Sequence, residues 1–236
     1  MILKSFGCSF IFGTDLPDAV AIPGQAVVPS QQTWPAILAK NLNYQYECFA
    51  RPGAGNLQIA EQALSQAPSS LYSVFVINWS WIDRFDHWSG IGKHSNWING
   101  NEWQTIVPTD TTKTAEIYYQ NLHSEYRDKL TSLMSIKLVI DTLKQKNVRF
   151  LMTGMDELLF DQQWHTTPAV VDLQEYVRPY IVSFEGQTFL DWSRANGYPN
   201  STTLHPLEAA HQAAGEYMIK VFDKQKTNDP IQQVLF

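Results

Sequence analysis

Residues 3–10 read Leu3-Lys4-Ser5-Phe6-Gly7-Cys8-Ser9-Phe10, an apolar run that stops abruptly at a Gly-x-Ser. The run from Ile2 to Ser9 predicts a short buried β-strand. Further strand candidates lie at 44–50, 71–79 and 148–153, with helical patterns between them. Strands that alternate with helices are typical of a parallel sheet covered on both faces. We therefore expect a three-layer α/β/α, flavodoxin-like fold with a mainly parallel sheet of about five strands.

The helical segments show apolar residues at spacings of three and four. They are expected at 33–42, from Asn56 onward, at 114–146 with one break, at 170–177 and at 206–224. The segment Phe189-Leu190-Asp191-Trp192 is interpreted as a short final strand or edge. Between 81 and 112 the pattern is irregular, apart from a hairpin expected at Asn99-Gly100. A loop of this length in a compact domain is often functional, so we treat 81–112 as a Trp-rich insertion in one domain spanning 1–236.

Composition excludes several classes of protein. Hydrophobic residues make up 44% and charged residues 17% of the 236 residues, which is typical of a globular chain. The net charge of -6 argues against binding to nucleic acid or to an anionic membrane surface. With two cysteines, Cys8 and Cys48, there is no disulfide framework, and buried free thiols are expected.

The N-terminus runs straight into the first strand, without a secretory signal. There is also no apolar stretch long enough to cross a membrane. We therefore expect a soluble chain made in the cytoplasm, which would reach the outside only with a virion or after lysis.

Residues with chemical potential follow the predicted strands. Ser9 ends the first strand, Gly53 follows the second, the segment 80–84 follows the third, and His205 precedes the last helix. In an open parallel sheet, ligands bind beyond the carboxyl ends of the strands, so these residues should meet at one edge. A serine hydroxyl beside an imidazole base is the arrangement of a serine hydrolase.

At these positions the sequence resembles the SGNH (GDSL-like) hydrolase family. Gly7-Cys8-Ser9 resembles the family's Gly-Asp-Ser block, with Cys8 in place of the acid, and phage and bacterial members often open with a similar Gly-Cys-Ser-Phe string. The segment 51–56, Arg51-Pro52-Gly53-Ala54-Gly55-Asn56, is similar to the glycine block, and His205-Pro206 is similar to the histidine block. The resemblance implies an α/β/α esterase or lipase fold, with no metal or organic cofactor.

The resemblance also implies roles for individual residues. Ser9 would be the nucleophile and His205 the general base, and the N–H groups of Ser9 and Gly53 would form the oxyanion hole. Two positions depart from the family. Thr202 stands where an Asp three residues before the histidine is usual, so that a hydroxyl, a backbone carbonyl or a remote acid such as Asp191 must orient His205.

The second departure concerns the family's third oxyanion donor, an asparagine. Trp81 lies near that position, so Asn78, Ser80 or Asn56 must substitute if the donor exists. Arg84 follows the same strand and either binds an acidic substrate or braces its loop through Asp83 or Asp86.

Other features have structural explanations that compete with functional ones. His211 is expected to be structural, and Cys8 to pack in the core because it alternates with Ser9. The spacing of Asp83-Arg84-Phe85-Asp86-His87 matches no standard metal site. The tryptophans at 81, 88, 97 and 103 form either an aromatic surface on which sugar rings stack or a small hydrophobic core within the insertion itself.

These observations predict a serine esterase that hydrolyses a small-molecule or glycan ester, with an acylated carbohydrate as the first candidate. The alternative is a catalytically decayed module of the same fold that binds a glycan or protein partner through 81–112. A flavodoxin-like nucleotide binder is disfavoured, because no phosphate-cradling glycine loop is present.

Overall fold

The computed structural model of the chain describes residues 1–19, 27–69, 72–88 and 103–228. Its strands are β1 (Ile2–Phe6), β2 (Gln45–Cys48), β3 (Ser73–Trp79), β4 (Phe85–Trp88), β5 (Trp103–Ile106) and β6 (Arg149–Gly154). The main sheet has the order β2-β1-β3-β6, and each neighbouring pair is parallel. Because consecutive parallel strands need crossovers, this order places helices on both faces.

The helices form the two outer layers. They are α1 (Ser9–Phe12), α2 (Trp34–Asn41), α3 (Asn56–Gln66), α4 (Lys113–Asn121), α5 (Glu125–Gln145), α6 (Pro168–Val177), α7 (Phe189–Ala195) and α8 (Glu208–Asn228). One buried cluster joins the sheet to α1, α2, α7 and α8. A second cluster joins the opposite face to α3, α5 and α6, which confirms the three-layer α/β/α fold.

Strand β3 shows why the sheet is buried on both faces. All seven of its residues are buried. Val74 and Val76 face the layer of α2 and α8, whereas Phe75, Ile77 and Trp79 face the layer of α3 and α5. Side chains alternate across a strand, so a continuous apolar run of this kind needs cover on both sides.

The main sheet has four strands in the described part of the chain, in line with the expected mainly parallel sheet of about five. Beyond β6 there is a single parallel bridge between Met152 and Ile181. One strand boundary was predicted wrongly. The first strand stops at Phe6 and not at Ser9, since the backbone turns at Gly7.

The segment at 189–192 was also predicted wrongly, because it is helical. Thr188 accepts a hydrogen bond from the Asp191 N–H (3.2 Å), and its hydroxyl donates to the Asp191 carboxylate (2.5 Å). A residue pair at this spacing that satisfies the first turn of a helix is a helix-start signal. The apolar Phe189 and Leu190 made the segment resemble a strand.

The insertion contains a small sheet of its own. Strands β4 and β5 pair antiparallel, with Phe85 opposite Ile106 and Trp88 opposite Trp103. The predicted hairpin at Asn99-Gly100 and the side chain of Trp97 lie outside the described residues. The long helical pattern breaks between α4 and α5, as expected. Within the described residues, no helix has the length and apolarity needed to span a bilayer.

Candidate active site

The position of Ser9 follows from the glycine that ends β1. Gly7 has φ 158°, and a Cβ at this residue would lie 2.7 Å from Ile11 Cγ1 and 3.0 Å from the Asn78 carbonyl oxygen. A side chain is therefore excluded, and the backbone can turn sharply between β1 and α1. This turn places Ser9 at the first position of α1, at the carboxyl edge of the sheet.

His205 is held in a tight loop before α8. The Ser201 N–H donates to the His205 carbonyl (2.8 Å), and the His205 N–H donates to Ser201 Oγ (3.1 Å). The His205 ring packs against Phe10, with 5.1 Å between ring centroids. In this position His205 Nε2 lies 2.9 Å from Ser9 Oγ, so the two side chains meet as the sequence predicted.

The other ring nitrogen of His205 meets a carboxylate that the sequence analysis did not single out. His205 Nδ1 lies 2.8 Å from Asp15 Oδ2 and 2.8 Å from Thr203 Oγ1. The same carboxylate oxygen accepts hydrogen bonds from the hydroxyls of Ser201 (2.7 Å) and Thr203. Serine, histidine and aspartate thus form a continuous hydrogen-bonded chain.

This arrangement determines the tautomer of His205. A carboxylate only accepts hydrogen bonds, and the Thr203 hydroxyl already donates its proton to the Asp15 carboxylate. The Nδ1 atom of the neutral His205 ring must therefore carry the proton that is shared with Asp15. Nε2 is then left with a lone pair that faces the Ser9 hydroxyl. An imidazole in this tautomer can accept the serine proton.

Asp15 is suited to remain ionised. The hydrogen bond from Thr203 has the largest effect and lowers the pKa of this carboxyl. Burial, the next largest effect, raises the pKa, and the hydrogen bonds from Ser201 and His205 lower it again, so that the net pKa is lowered. Hydrogen bonds to the charged form favour that form. Asp15 also has φ 72°, a left-handed conformation that aspartate adopts more readily than most residues.

Neither residue that was expected to orient His205 occupies this position. Thr202 is exposed and forms no hydrogen bond with the ring, whereas its neighbour Thr203 does. Asp191 is engaged with Thr188 at the start of α7. Sequence reasoning missed Asp15 because it lies in an aperiodic loop, 190 positions from His205. Its one signal was an acidic residue shortly after the nucleophile block.

Gly53 lies in a turn that is tied to the end of β1. The Arg51 N–H donates to the Gly7 carbonyl at 3.0 Å. Gly53 has φ 82°, and a Cβ built there would meet no atom within 4 Å, so this turn borders open space. Within the described part of the chain, no hydrogen bond satisfies the N–H groups of Ser9 and Gly53. Neither N–H group is thus committed to another group among these residues.

The three other donor candidates have different environments. The Asn56 amide donates to the Ser80 carbonyl (3.1 Å) and to Ser132 Oγ (3.1 Å), and its oxygen accepts from the Ser80 N–H (2.8 Å). Asn56 is therefore committed to holding Ser80. The buried hydroxyl of Ser80 and the buried amide of Asn78 have no partner among the described residues.

Arg84 and Trp81 lie beside the candidate site. Arg84 donates to the Ala54 carbonyl (3.0 Å) and covers the Trp81 ring, 4.8 Å from its centroid. Trp81 meets the Phe10 ring edge-on at 5.6 Å. Arg84 thus braces its surroundings through a carbonyl of the glycine block and not through an ion pair with Asp83 or Asp86.

His211 and Cys8 have structural roles. The Trp34 N–H donates to His211 Nδ1 (3.1 Å), and burial lowers the pKa of His211 to about 3, helped by the nearby His205. Cys8 is buried in the core cluster as a free thiol. Among the described residues, no group of three His, Cys, Asp or Glu side chains is placed to hold a metal ion.

Comparison with solved structures finds the same fold in ester hydrolases. A lipolytic protein of the G-D-S-L family from Veillonella parvula is 13% identical, with a TM-score of 0.52 over 95% of this chain and 99% of that chain. The psychrotrophic esterase EstA from Pseudoalteromonas is 9% identical, with a TM-score of 0.51 over 96% and 99%.

A family 2 carbohydrate esterase from Corynascus thermopiles is 15% identical, with a TM-score of 0.51. The match covers 94% of this chain but 65% of that chain, which also carries a carbohydrate-binding domain. No family model and no curated protein matches the sequence. At these identities the comparisons establish the fold.

Proposed function

We propose that this protein is a serine esterase that hydrolyses carboxylic esters through an acyl-enzyme on Ser9. The observation that carries the proposal is the 2.9 Å contact between Ser9 Oγ and His205 Nε2. The Asp15 carboxylate on the far ring nitrogen completes a catalytic triad. A serine hydroxyl becomes a useful nucleophile only when a base lies within hydrogen-bond reach and is itself oriented.

In the first half of the reaction, Ser9 Oγ attacks the ester carbonyl carbon while its proton moves to His205 Nε2. The resulting imidazolium is stabilised by Asp15, which stays ionised. The tetrahedral intermediate then collapses. The bond to the alcohol oxygen breaks, and His205 returns the proton to that oxygen, which leaves the acyl group on Ser9.

In the second half, water takes the place of the alcohol. His205 removes a proton from the water as its oxygen attacks the acyl carbon, and the proton then goes to Ser9 Oγ as the ester bond to the enzyme breaks. The products are the carboxylic acid and the regenerated serine.

The oxyanion of both intermediates is assigned to the N–H groups of Ser9 and Gly53, which lack other partners in the described residues. Each well-placed donor is worth about 3–4 kcal/mol in the transition state. Ser80 Oγ is the better third candidate, since it follows β3 directly and its backbone is held by Asn56. Asn78 lies inside β3, and its amide is as buried as the Ser80 hydroxyl.

For the substrate, we propose an acylated carbohydrate. Trp81 is partly exposed and lies one aromatic ring away from His205, through Phe10. Aromatic rings offer apolar faces of the kind that sugar rings present. The carbohydrate esterase from Corynascus thermopiles, which has the same fold, supports this class of substrate.

The test is hydrolysis of a short-chain nitrophenyl ester, together with covalent labelling by a fluorophosphonate. We expect turnover and labelling in the wild type and a loss of kcat on the order of 10⁶-fold in Ser9→Ala. Ser73→Ala is the matched control, because Ser73 is equally buried but lies at the opposite end of the sheet, at the start of β3. This variant should keep both signals.

Substrate class is tested with an acetylated oligosaccharide and a nitrophenyl acetate of equal acyl group. A higher kcat/KM on the oligosaccharide, reduced in Trp81→Ala, would support the carbohydrate assignment. Absence of turnover and of Ser9 labelling would refute the enzyme and favour the binding module of the same fold, whose affinity for the unmodified oligosaccharide could then be measured.

A further inference from the structure

The turn that carries Gly53 is held from the insertion by a buried carboxylate. Asp86 lies on β4 and is 6% exposed. Its Oδ1 accepts the Gly55 N–H and its Oδ2 accepts the Gln58 N–H, both at 2.9 Å. The Thr105 hydroxyl, from the neighbouring strand β5, donates to Oδ1. Both carboxylate oxygens are thus occupied by the start of α3.

The carboxylate and the turn fit each other closely. A Cβ at Gly55 would lie 2.6 Å from Asp86 Oδ2 and 2.8 Å from Oδ1. The approach is therefore possible only because residue 55 has no side chain. Residue 55 must be glycine because the Asp86 carboxylate lies so close, whereas glycine is favoured at residue 53 because of its positive φ.

The same segment has two further anchors. Arg84 donates to the Ala54 carbonyl from the residues just before β4 (3.0 Å). On the other side, the Arg51 N–H donates to the carbonyl of Gly7, two residues before Ser9. The turn at 51–55 is consequently fixed between the nucleophile and the β4–β5 sheet, with Gly53 between the anchors.

Capping of α3 alone does not account for this arrangement. A Ser, Thr, Asp or Asn at position 55 would cap the helix locally. The chain instead buries a carboxylate from 31 positions away, although burying a charge is costly and desolvation raises the pKa of Asp86. A distant acceptor does something that a local cap cannot, because it fixes where the turn lies relative to the rest of the site.

We infer that Asp86 is a positioning residue for the oxyanion hole, and that the β4–β5 sheet serves catalysis by fixing the Gly53 N–H relative to Ser9. This inference rests on the proposed function and goes beyond it, since it assigns the insertion a role in transition-state stabilisation that does not depend on substrate contact. A donor must be held in place before the reaction to stabilise the developing charge.

The test is a graded series at position 86. Asp86→Asn keeps one acceptor oxygen and Asp86→Ala keeps none. With rates normalised to folded protein, we expect kcat on a nitrophenyl ester to fall roughly 10-fold in the first and roughly 10²-fold in the second, with KM unchanged. Thr105→Val removes only the hydroxyl that donates to Asp86, and its kcat should also fall below that of the wild type. This variant tests the inference if Asp86→Ala does not fold.

Asp161→Ala is the matched control. Asp161 also accepts two backbone N–H groups, from Gln163 and Trp164 at 2.7 Å, but in a loop after β6 and without a hydrogen bond to the turn at 51–55. This variant should lose stability without losing kcat. If the folded Asp86→Ala or Thr105→Val variant keeps the wild-type kcat, or if the control loses as much as they do, the inference is wrong.

Amide hydrogen exchange separates this inference from the proposed function. We expect the N–H groups of Gly55 and Gln58 to exchange faster in Asp86→Asn than in the wild type, and this readout needs no turnover. A wild-type protein inert toward esters would refute the esterase, whereas unchanged exchange in Asp86→Asn would refute the anchoring itself.

Discussion

Asp15 Oδ2 receives hydrogen bonds from three side chains, and only one of them is the ring that it orients. Ser201 and Thr203 lie on either side of Thr202, so the loop before α8 supplies two hydroxyls to the Asp15 carboxylate. These hydroxyls fix the carboxylate, and the carboxylate fixes His205. The carboxylate comes from the loop after α1, and the hydroxyls that hold it come from the loop before α8.

A variant that removes the charge of Asp15 but keeps the shape of its side chain should show how the carboxylate orients His205. In Asp15→Asn the amide presents either an oxygen or an N–H group to Nδ1, and the N–H orientation favours the wrong tautomer. We expect kcat for ester hydrolysis to fall by up to about 10⁴-fold with KM little changed. The measurement is steady-state kinetics on the nitrophenyl ester.

Asp18→Asn is the matched control, since Asp18 lies in the same loop and accepts the Gln31 N–H (2.7 Å) without touching His205. Its kcat should match that of the wild type. Equal losses in the two variants would mean that Asp15 acts through loop stability and not through the imidazole.

At this scale the sequence predicted the groups that lie in recognisable blocks. Ser9, Gly53 and His205 each follow a strand or precede a helix, so topology brings them to one edge. Asp15 could not be found in this way. Its contact with His205 spans 190 positions between two loops, and no periodicity or spacing links residues across such a distance.

Among the elements, α2 packs closely against α8, the helix that follows the His205 loop. A Cβ at Gly215 would lie 2.6 Å from Ile37 Cγ2 and 2.9 Å from Ile37 Cβ. Overpacking costs about 1–3 kcal/mol, and alanine returns about 1 kcal/mol of helix propensity. We expect Gly215→Ala to lower the free energy of unfolding by about 1 kcal/mol, as measured by urea denaturation.

The cost should shrink when the nearest obstacle is removed. In an Ile37→Ala background the 2.6 Å contact with Cγ2 disappears while the 2.9 Å contact with Cβ remains, so Gly215→Ala should destabilise less than it does in the wild type. Gly154→Ala is the control, because its Cβ would lie 4.0 Å from Ile181 Cγ2, an ordinary contact. An equal loss for Gly215→Ala in both backgrounds would contradict the packing explanation.

Elements were predictable in proportion to their length. The long helices α5 and α8 span several turns, and β3 is a continuous apolar run, so each has a clear pattern. The helices α1 and α7 have four and seven residues, too few for a 3.6-residue period to be recognised. Their capping and turning residues determine them, and Gly7 and Thr188 act through geometry that composition does not reveal.

Across the whole molecule, one buried histidine links folding to pH. His211 on α8 accepts a hydrogen bond from the Trp34 N–H at the start of α2. Nδ1 of His211 must therefore stay unprotonated in the folded state. Burial lowers the pKa of His211 to about 3, whereas the unfolded chain takes up a proton near its ordinary value. Because the unfolded state then binds more protons, stability falls as pH falls below that ordinary value.

Between pH 6.5 and 4.5, His211 should remove about 2 kcal/mol from the free energy of unfolding. In His211→Asn the amide oxygen can still accept from Trp34 but cannot titrate, so this variant starts less stable and loses about 2 kcal/mol less over the same range. Urea denaturation at the two pH values measures both slopes.

His165→Asn is the control, because His165 lies at the surface beside Glu125 and its replacement should leave the wild-type slope in place. Parallel slopes in the wild type and His211→Asn would show that other groups drive acid unfolding, and the link between the α2–α8 contact and pH would have to be abandoned.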